Sequence, residues 1–259
     1  MPWPLAELQR PVPFQLQFRR VVPPDSSAAP PDDTMRAVSY PREAFVSSSR
    51  QRLRRLKKLG SYDRATAYAI LDDGLLAHVG FADGPQPFVI PMAYVRDGDA
   101  LLLHGAVASR LQRALGSGIQ ACVCVTLLDG IVLARSVFNH SMNYRSVVAF
   151  GTATAVTGAP AKRVALERFT ERMLPGRWQD ARQPNAKELA ATSVLRLDMQ
   201  EITAKVRTGP PDDAEPDLEL PVWAGVLPMR VAMQSPVADT GTQVGLPDYL
   251  TDFLRARDV

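Results

Sequence analysis

The sequence predicts a mainly β fold with added helices (α+β), built as a Greek-key-like antiparallel barrel of six or seven strands. Apolar runs of strand length follow one another between residues 75 and 157, and a further alternating run spans residues 194–206. Asp-Gly pairs separate several of these runs, and such pairs are strong hairpin signals. An amphipathic helix is predicted over residues 161–173, so helices are expected to pack beside the barrel.

The elements follow in a regular order. Asp63 is a plausible N-cap for a first helix, and Gly116 and Gly118 end a second one. Asp129-Gly130 is interpreted as a hairpin turn between two further strands. The predicted strands cover residues 75–82, 87–95, 100–105, 119–128, 131–136, 147–157 and 194–206, and the predicted helices cover residues 109–115, 161–173, 185–192 and 248–257.

Three regions are predicted along the chain. Residues 1–60 form a flexible, proline-rich basic arm, since they hold eleven Lys or Arg against five Asp or Glu. Residues 61–230 form the barrel domain. Residues 231–259 form a tail with a short helix.

Composition excludes several classes of protein. The net charge is +3 and belongs to the arm, so no nucleic-acid partner is expected. Cys122 and Cys124 lie two residues apart on one strand, which suits neither a disulfide nor a metal pair, and a reducing cytoplasm fits them. No membrane-length apolar run, secretory signal, P-loop, Rossmann fingerprint or Gly-x-Ser-x-Gly elbow occurs. No metal site is predicted.

The segment LDGIVLARSVFNHSMNYRSVVAFG, residues 128–151, carries the densest polar cluster. Two apolar runs are interpreted as strands, and the connection between them includes Arg135, His140, Asn143, Arg145 and Ser146. A hairpin needs only two to five turn residues, so this connection is too polar for a plain turn. Its donors suit a phosphate-bearing ligand.

A second candidate phosphate site follows the strand that ends in LLLHGAVASR. Ser109 and Arg110 offer a hydroxyl and a guanidinium at the start of a predicted helix, and Gly105 lets a ligand approach the backbone. His104 ends the strand and is either structural or part of this site. Lys205 and Arg207 end the last long strand and are candidates for a second anionic group.

These motifs together resemble the flavin-binding split-barrel superfamily related to pyridoxamine 5′-phosphate oxidase, and within it the flavin-nucleotide-binding, Nim-type (nitroimidazole-resistance) branch. The matching elements occur in the order expected for the family between residues 62 and 230. They are YDRATAYAILDDG, VGF with PFVIPMAY, LLLHGAVASR, LDGIVLARS, HSMNYRSVVAFG, PGRW, KVRTG and WAGV.

The resemblance implies a split β-barrel that forms a homodimer and binds flavin mononucleotide (FMN) between the subunits. It places Ser109 and Arg110 on the flavin phosphate and His104 near the reactive centre. The strand that holds Pro91 and Met92 would run beside the isoalloxazine ring. The remaining expected cofactor contacts are Asn143, Arg145, Ser146, Lys205 and Trp223.

One departure from the family pattern affects His140. Phe138-Asn139-His140 stands where the family has Phe-His-His, so a role that needs two imidazoles is in doubt. We expect a cytoplasmic flavin-dependent oxidoreductase acting on a small molecule, with nitro-group reduction as one reaction that the resemblance implies. The alternatives are a non-catalytic flavin carrier, sensor or store, and a groove that holds deazaflavin or haem. A haem would need His78, His104 or His140 as its axial ligand.

Overall fold

Six long antiparallel strands close into a barrel in the computed structural model, which describes residues 59–256. Neighbouring strands follow the order β7, β4, β3, β2, β5, β6, and β6 pairs with β7 to close the circle. Two short strands extend it, since β1 pairs with β7 and β8 pairs with β5. The strands are β1 Gly60–Ser61, β2 Leu76–Asp83, β3 Gln86–Asp97, β4 Ala100–Ala106, β5 Gln120–Leu133, β6 Ser141–Ala155, β7 Thr192–Arg207 and β8 Gly225–Pro228.

Six α-helices lie around the barrel in the described residues 59–256. Asp63 caps α1 through a hydrogen bond from the Thr66 amide, as the sequence predicts. Asn185 and Glu188 form a capping box at the start of α5. The helices are α1 Arg64–Asp73, α2 Arg110–Gly116, α3 Ala159–Met173, α4 Arg177–Asp180, α5 Ala186–Ala191 and α6 Asp248–Arg255. The prediction of an α+β antiparallel barrel is therefore confirmed.

The barrel interior holds the main core. Inward-facing side chains alternate along every strand, as in Val147 and Ala149 of β6 or Leu101 and Leu103 of β4. Helices α1 and α2 add buried side chains to the same cluster. A second, smaller core lies on the outer surface of the sheet, where α3 covers part of β3, β4 and β7.

The predicted hairpin turn at Asp129-Gly130 is wrong. Residues 120–133 form one continuous strand, and the pair marks a bulge at which the register with β6 shifts between Leu128 and Gly130. The Asp129 carboxylate accepts hydrogen bonds from Arg145 on β6. A Cβ on Gly130 would lie 3.0 Å from the Leu227 carbonyl of β8, so the close approach of β8 requires glycine here.

The polar connection after β5 is also shorter than predicted. Only residues 134–140 connect β5 to β6, with a 3₁₀ turn at Val137–Asn139. Asn143, Arg145 and Ser146 therefore belong to β6, and the prediction that they lie in a loop is wrong. The buried carboxylate of Asp213 accepts hydrogen bonds from the Arg135 backbone and guanidinium and fixes the start of the connection.

The C-terminal segment crosses the barrel surface. After β8, the Met229 amide donates to the Asp129 carbonyl, and residues 230–246 continue as an exposed chain without helix or strand. Helix α6 then rests beside α4, where the Tyr249 hydroxyl donates to Asp180. Within residues 59–256 no helix is both long enough and apolar enough to span a membrane. The predicted basic arm lies almost entirely outside the described residues.

Candidate functional site

Side-chain alternation gives the barrel an outer surface, and α3 covers only part of it. We call the uncovered part, on β2, β3, β5 and β6, the open face. Leu76 and Val89 on this face are 52% and 68% exposed, which is unusual for large apolar side chains in the middle of a sheet. The open face also carries His78, Pro91, Cys122, Cys124, Thr126 and Ser146.

The two predicted flavin contacts on β3 point in opposite directions. Pro91 is exposed on the open face, directly opposite His78 of β2. Met92 packs against the barrel core instead. Only Pro91 therefore offers its side chain to a ligand on the open face, while Met92 can contribute through its backbone.

Ser109 and Arg110 stand at the start of α2 with their polar groups available. Ser109 is the N-cap residue, yet its hydroxyl accepts no hydrogen bond from the helix. The Arg110 guanidinium lies 4.6 Å from the centre of the Phe88 ring and pairs with no carboxylate among residues 59–256. Both predicted phosphate ligands are thus free to bind an anion.

Ser146 and Lys205 form a second available pair. They face each other across β6 and β7, and the Ser146 hydroxyl makes only a long contact of 3.4 Å with the Lys205 carbonyl. The Lys205 ammonium lies 5.7 Å from the centre of the Tyr144 ring and meets no carboxylate in the described part of the chain. This pair offers a cation and a hydroxyl on the outer surface.

Arg145 and Asn143 are engaged in internal contacts instead. Arg145 donates to both oxygens of Asp129 at 3.0 Å and also pairs with Asp73 at the end of α1. Asn143 is buried, donates to the Gly209 carbonyl and accepts from Arg207. These two side chains stabilise the end of the barrel. Their contacts would have to break before either could bind a ligand, and breaking them would lower the stability of the fold.

His104 lies at the border between the covered and open parts of the outer surface. Its ring meets the Phe169 ring of α3 edge-on, with centres 4.3 Å apart. Its Nδ1 atom is buried and has no hydrogen-bond partner among residues 59–256. Burial lowers the pKa of His104, so the imidazole is neutral at pH 7 and can accept a hydrogen bond or bind a ligand.

The predicted phosphate ligands fall into two separate groups. Arg110 contacts Phe88 on β3, and Ser146 lies on β6. Across the sheet these two positions are three strand spacings apart, about 14 Å. Along the strands they are five residues apart, about 17 Å. One phosphate cannot touch both groups in a single chain. Ser109 with Arg110 and Ser146 with Lys205 must therefore serve different parts of a ligand or different copies of the site.

The C-terminal segment borders a partly open cavity of about 620 Å³ at one end of the open face. Leu76 and Thr126 line it from β2 and β5, and residues 230–233 line it from the C-terminal segment. Trp223 lies further along, exposed, with its indole against Gly225, where a Cβ would come within 2.8 Å of the ring. Trp223 is therefore a surface aromatic held on β8 and not a core residue.

Sequence reasoning missed two polar residues near these groups. Gln112 on α2 is 4% exposed, and neither amide atom has a hydrogen-bond partner in residues 59–256. Its side chain lies against Gly105, where a Cβ would meet it at 3.1 Å. Asp213 is equally buried and anchors Arg135. Gln112 stands between Leu111 and Leu115 in an ordinary helical pattern, so no signal in the sequence distinguishes it.

Comparison with known proteins gives a consistent result. Residues 63–206 match the model of the family described as pyridoxamine 5′-phosphate oxidase. The flavocytochrome Anf3 from Azotobacter vinelandii is 40% identical with a TM-score of 0.76, over 79% of this chain and 96% of that chain. The FAD and heme binding protein from Mycobacterium smegmatis is 36% identical with a TM-score of 0.72, over 75% of this chain and 96% of that chain.

A third structure is named for 5-nitroimidazole antibiotic resistance and comes from Bacteroides thetaiotaomicron. It is 21% identical with a TM-score of 0.49, over 57% of this chain and 86% of that chain. The comparison with curated proteins finds no match. The family match covers more than half of the chain, and it confirms the resemblance inferred from the sequence motifs. The chain belongs to the pyridoxamine 5′-phosphate oxidase family of split barrels.

Proposed function

We propose that this protein is a flavin- and haem-binding oxidoreductase that works as a homodimer, with its cofactors on the outer surface of the barrel. The observation that carries the proposal is the similarity to two proteins whose names give flavin and haem together. They are 40% and 36% identical, and the match runs over 96% of each.

The available side chains fit a flavin. A flavin nucleotide needs cations for its phosphate and hydrogen-bond donors along the electron-rich edge of the ring. Arg110 and Lys205 provide cations without carboxylate partners among residues 59–256, and Ser109 and Ser146 provide hydroxyls. Arg145, in contrast, is neutralised by Asp129 and Asp73.

A homodimer brings the two separate groups together. Packing one open face against that of a second copy would bury the exposed Val89 side chain. We propose a two-fold arrangement in which the Ser109 and Arg110 group of one subunit meets the Ser146 and Lys205 group of the other. The flavin would lie in the groove between the subunits, beside Pro91.

The relatives favour FAD over FMN as the flavin, because the one that is 36% identical is named for FAD. FMN, nitro-group reduction and a cytoplasmic location stay predictions from the sequence. A bound flavin supplies two-electron chemistry, and a haem iron supplies one-electron chemistry. The chain's own part is to bind and orient the cofactors and to neutralise their anionic groups.

The absorption spectrum of the full-length protein tests this proposal. We expect a flavin band and a Soret band, FAD as the flavin released on denaturation, and one of each cofactor per chain. A nicotinamide donor under anaerobic conditions should bleach the flavin and then shift the Soret band. A colourless protein that ignores added FAD and haemin would overturn the proposal. Bound cofactors that no nicotinamide donor reduces would favour the non-catalytic carrier or sensor.

A further inference from the structure

An apolar surface lies at the end of the barrel where β5, β6 and β8 meet. Ile131 pairs with Met142 of β6 on one side and with Leu227 of β8 on the other, so the three side chains form one row across the strands. They are 39%, 52% and 48% exposed. Two strand spacings give this row a width of about 10 Å. We call this surface the distal platform.

The next row of the platform contains an imidazole. Leu133 pairs with Gly225, against which the Trp223 indole rests. His140 precedes Met142 by two residues, and its backbone is extended, with φ −57° and ψ 142°. Alternation therefore directs His140 to the same side as Met142. Phe138, beside it in the connection, is 94% exposed, which is exceptional for phenylalanine.

The hydrogen bond that His140 makes fixes which of its nitrogens is free. Nδ1 lies 3.0 Å from the Ser136 carbonyl oxygen, which can only accept, so Nδ1 carries the proton. The Ala134 amide also points toward Nδ1, but its distance of 3.4 Å is long for a hydrogen bond and requires the opposite tautomer. We assign the tautomer from the shorter contact, and this assignment leaves a lone pair at Nε2.

A positive charge stands at the side of the platform. Arg207 pairs with Tyr144, one row of about 7 Å beyond Met142 on β6. Its guanidinium donates to the Asn143 side-chain oxygen at 2.5 Å and to the Pro210 carbonyl at 3.4 Å, both neutral. No carboxylate among residues 59–256 forms an ion pair with Arg207, so its charge is available to an anionic group near the platform.

This combination fits a haem. The group is flat and apolar, it takes an imidazole nitrogen as axial ligand, and its carboxylates need cations. A metal-binding histidine usually donates its second N–H to a carbonyl or carboxylate, which holds the ring in place. We propose that the Nε2 atom of His140 is the axial ligand of a haem that lies on the distal platform, with Arg207 beside its carboxylates. The inference rests on the proposed function.

The other two histidines match this pattern less well. His104 is packed against Phe169, and its buried Nδ1 has no partner among residues 59–256 that would fix a tautomer. His78 stands in the middle of the open face, opposite Cys124, where the proposed second copy would cover it. Only His140 combines an extended apolar row, a second-nitrogen hydrogen bond and a nearby cation.

The test is haemin titration of the full-length protein, followed by absorption and by electron paramagnetic resonance of the ferric form. The variants are His140→Ala and His140→Gln, with His78→Ala as the matched control. We expect both His140 variants to lose the imidazole-ligated spectrum and at least tenfold in haemin affinity. Added imidazole should restore the spectrum, and the flavin affinity should stay unchanged. The glutamine variant retains a donor for the Ser136 carbonyl, so it separates iron ligation from support of the connection.

The possible results separate a wrong assignment of the haem ligand from a wrong proposed function. A wild-type spectrum in His140→Gln, with His78→Ala altered instead, would overturn the assignment of the ligand while leaving a haem protein. Absence of any Soret band in the wild type after loading would overturn the proposed function and this inference together. Loss of flavin as well as haem in both His140 variants would show a structural role for His140 and would also overturn the assignment.

Discussion

The outer surface of the barrel has two parts. In both, side chains alternate between the inside and the outside of the barrel, but the outward-facing apolar side chains are buried in one part and exposed in the other. Under α3, Leu102 of β4 and Val194 of β7 are 3% and 1% exposed, packed against Ala165 and Phe169. On the open face, side chains of the same chemical type are about half exposed. The strands are equally regular in both parts, so the difference lies in what covers them.

The covered part of the outer surface contributes to fold stability, and the exposed part is available for binding. The covered part is completed by the chain's own helix, and its apolar side chains stabilise the fold. The open face and the distal platform expose apolar rows next to imidazoles and to cations that pair with no carboxylate within residues 59–256. Such a surface lowers the solubility of a single chain. We interpret it as the surface on which the cofactors and a second copy bind.

The largest expected effect is in the covered part. Phe169→Ala should lower the free energy of unfolding by about 3 kcal/mol or more, because it leaves a cavity between α3 and the sheet. Urea denaturation measures this, with Val164→Ala on the exposed side of the same helix as the matched control. Equal small effects of the two substitutions would mean that α3 does not seal the outer surface.

A charged substitution on the open face should weaken dimer formation. Val89→Glu places a carboxylate from each copy into the proposed interface, and like charges there cost several kcal/mol. We expect the dimer dissociation constant, measured by sedimentation, to rise at least a hundredfold, while the thermal midpoint of the monomer changes little. Val164→Glu on α3 is the control. A dimer unaffected by Val89→Glu would place the interface elsewhere.

Flavin affinity should depend on the unpaired cations. Arg110→Ala and Lys205→Ala should each weaken FAD binding by about 2 kcal/mol, roughly thirtyfold, since each removes a charge-assisted hydrogen bond. Arg113→Ala, which removes an exposed arginine from the same helix as Arg110, should leave the affinity unchanged. Fluorescence titration measures all three. Equal losses in Arg110→Ala and Arg113→Ala would point to a general charge effect.

The smallest expected effect concerns His104. Burial lowers the pKa of His104 in the folded state. Below about pH 6.5 the unfolded chain therefore binds a proton at His104 more readily than the folded chain does. Stability should therefore decline from about pH 7.5 to about pH 5.5 more steeply in the wild type than in His104→Gln. Urea denaturation at the two pH values tests this. Identical slopes would mean that the native imidazole titrates normally.

The barrel was predictable from local patterns, while the contacts at its ends were not. Alternation and end signals act within a few residues, and they identify β2, β3, β4, β7, α1, α2, α3 and α5. They divide β5 into two strands and start β6 too late, at residue 147. The bulge at Gly130 depends on β8, almost a hundred residues later, and the role of Arg145 depends on Asp73 and Asp129. Because of these distant partners, Asp129-Gly130 forms a bulge and not a turn, and Arg145 forms internal ion pairs and does not remain available to a ligand.

The histidines show the same limit. The sequence reduced the weight on His140, because Asn139 departs from the family pattern beside it. In the structure, the free nitrogen of His140 is determined by the Ser136 carbonyl and does not involve the side chain of residue 139. Ser109, Arg110 and Lys205 lie in two separate groups, and neither cation pairs with a carboxylate among residues 59–256. That they contact a flavin stays a prediction.

The two cysteines of the chain give the most direct test of the central claim, that the open face is covered in the working protein. Cys122 and Cys124 are free thiols on this face, half-buried in the single chain. Burial and the neighbouring Cys124 raise the pKa of Cys122, so alkylation is measured at mildly alkaline pH. In the FAD-loaded wild type we predict alkylation at least tenfold slower than in Val89→Glu. Equal rates in the two proteins would contradict the account.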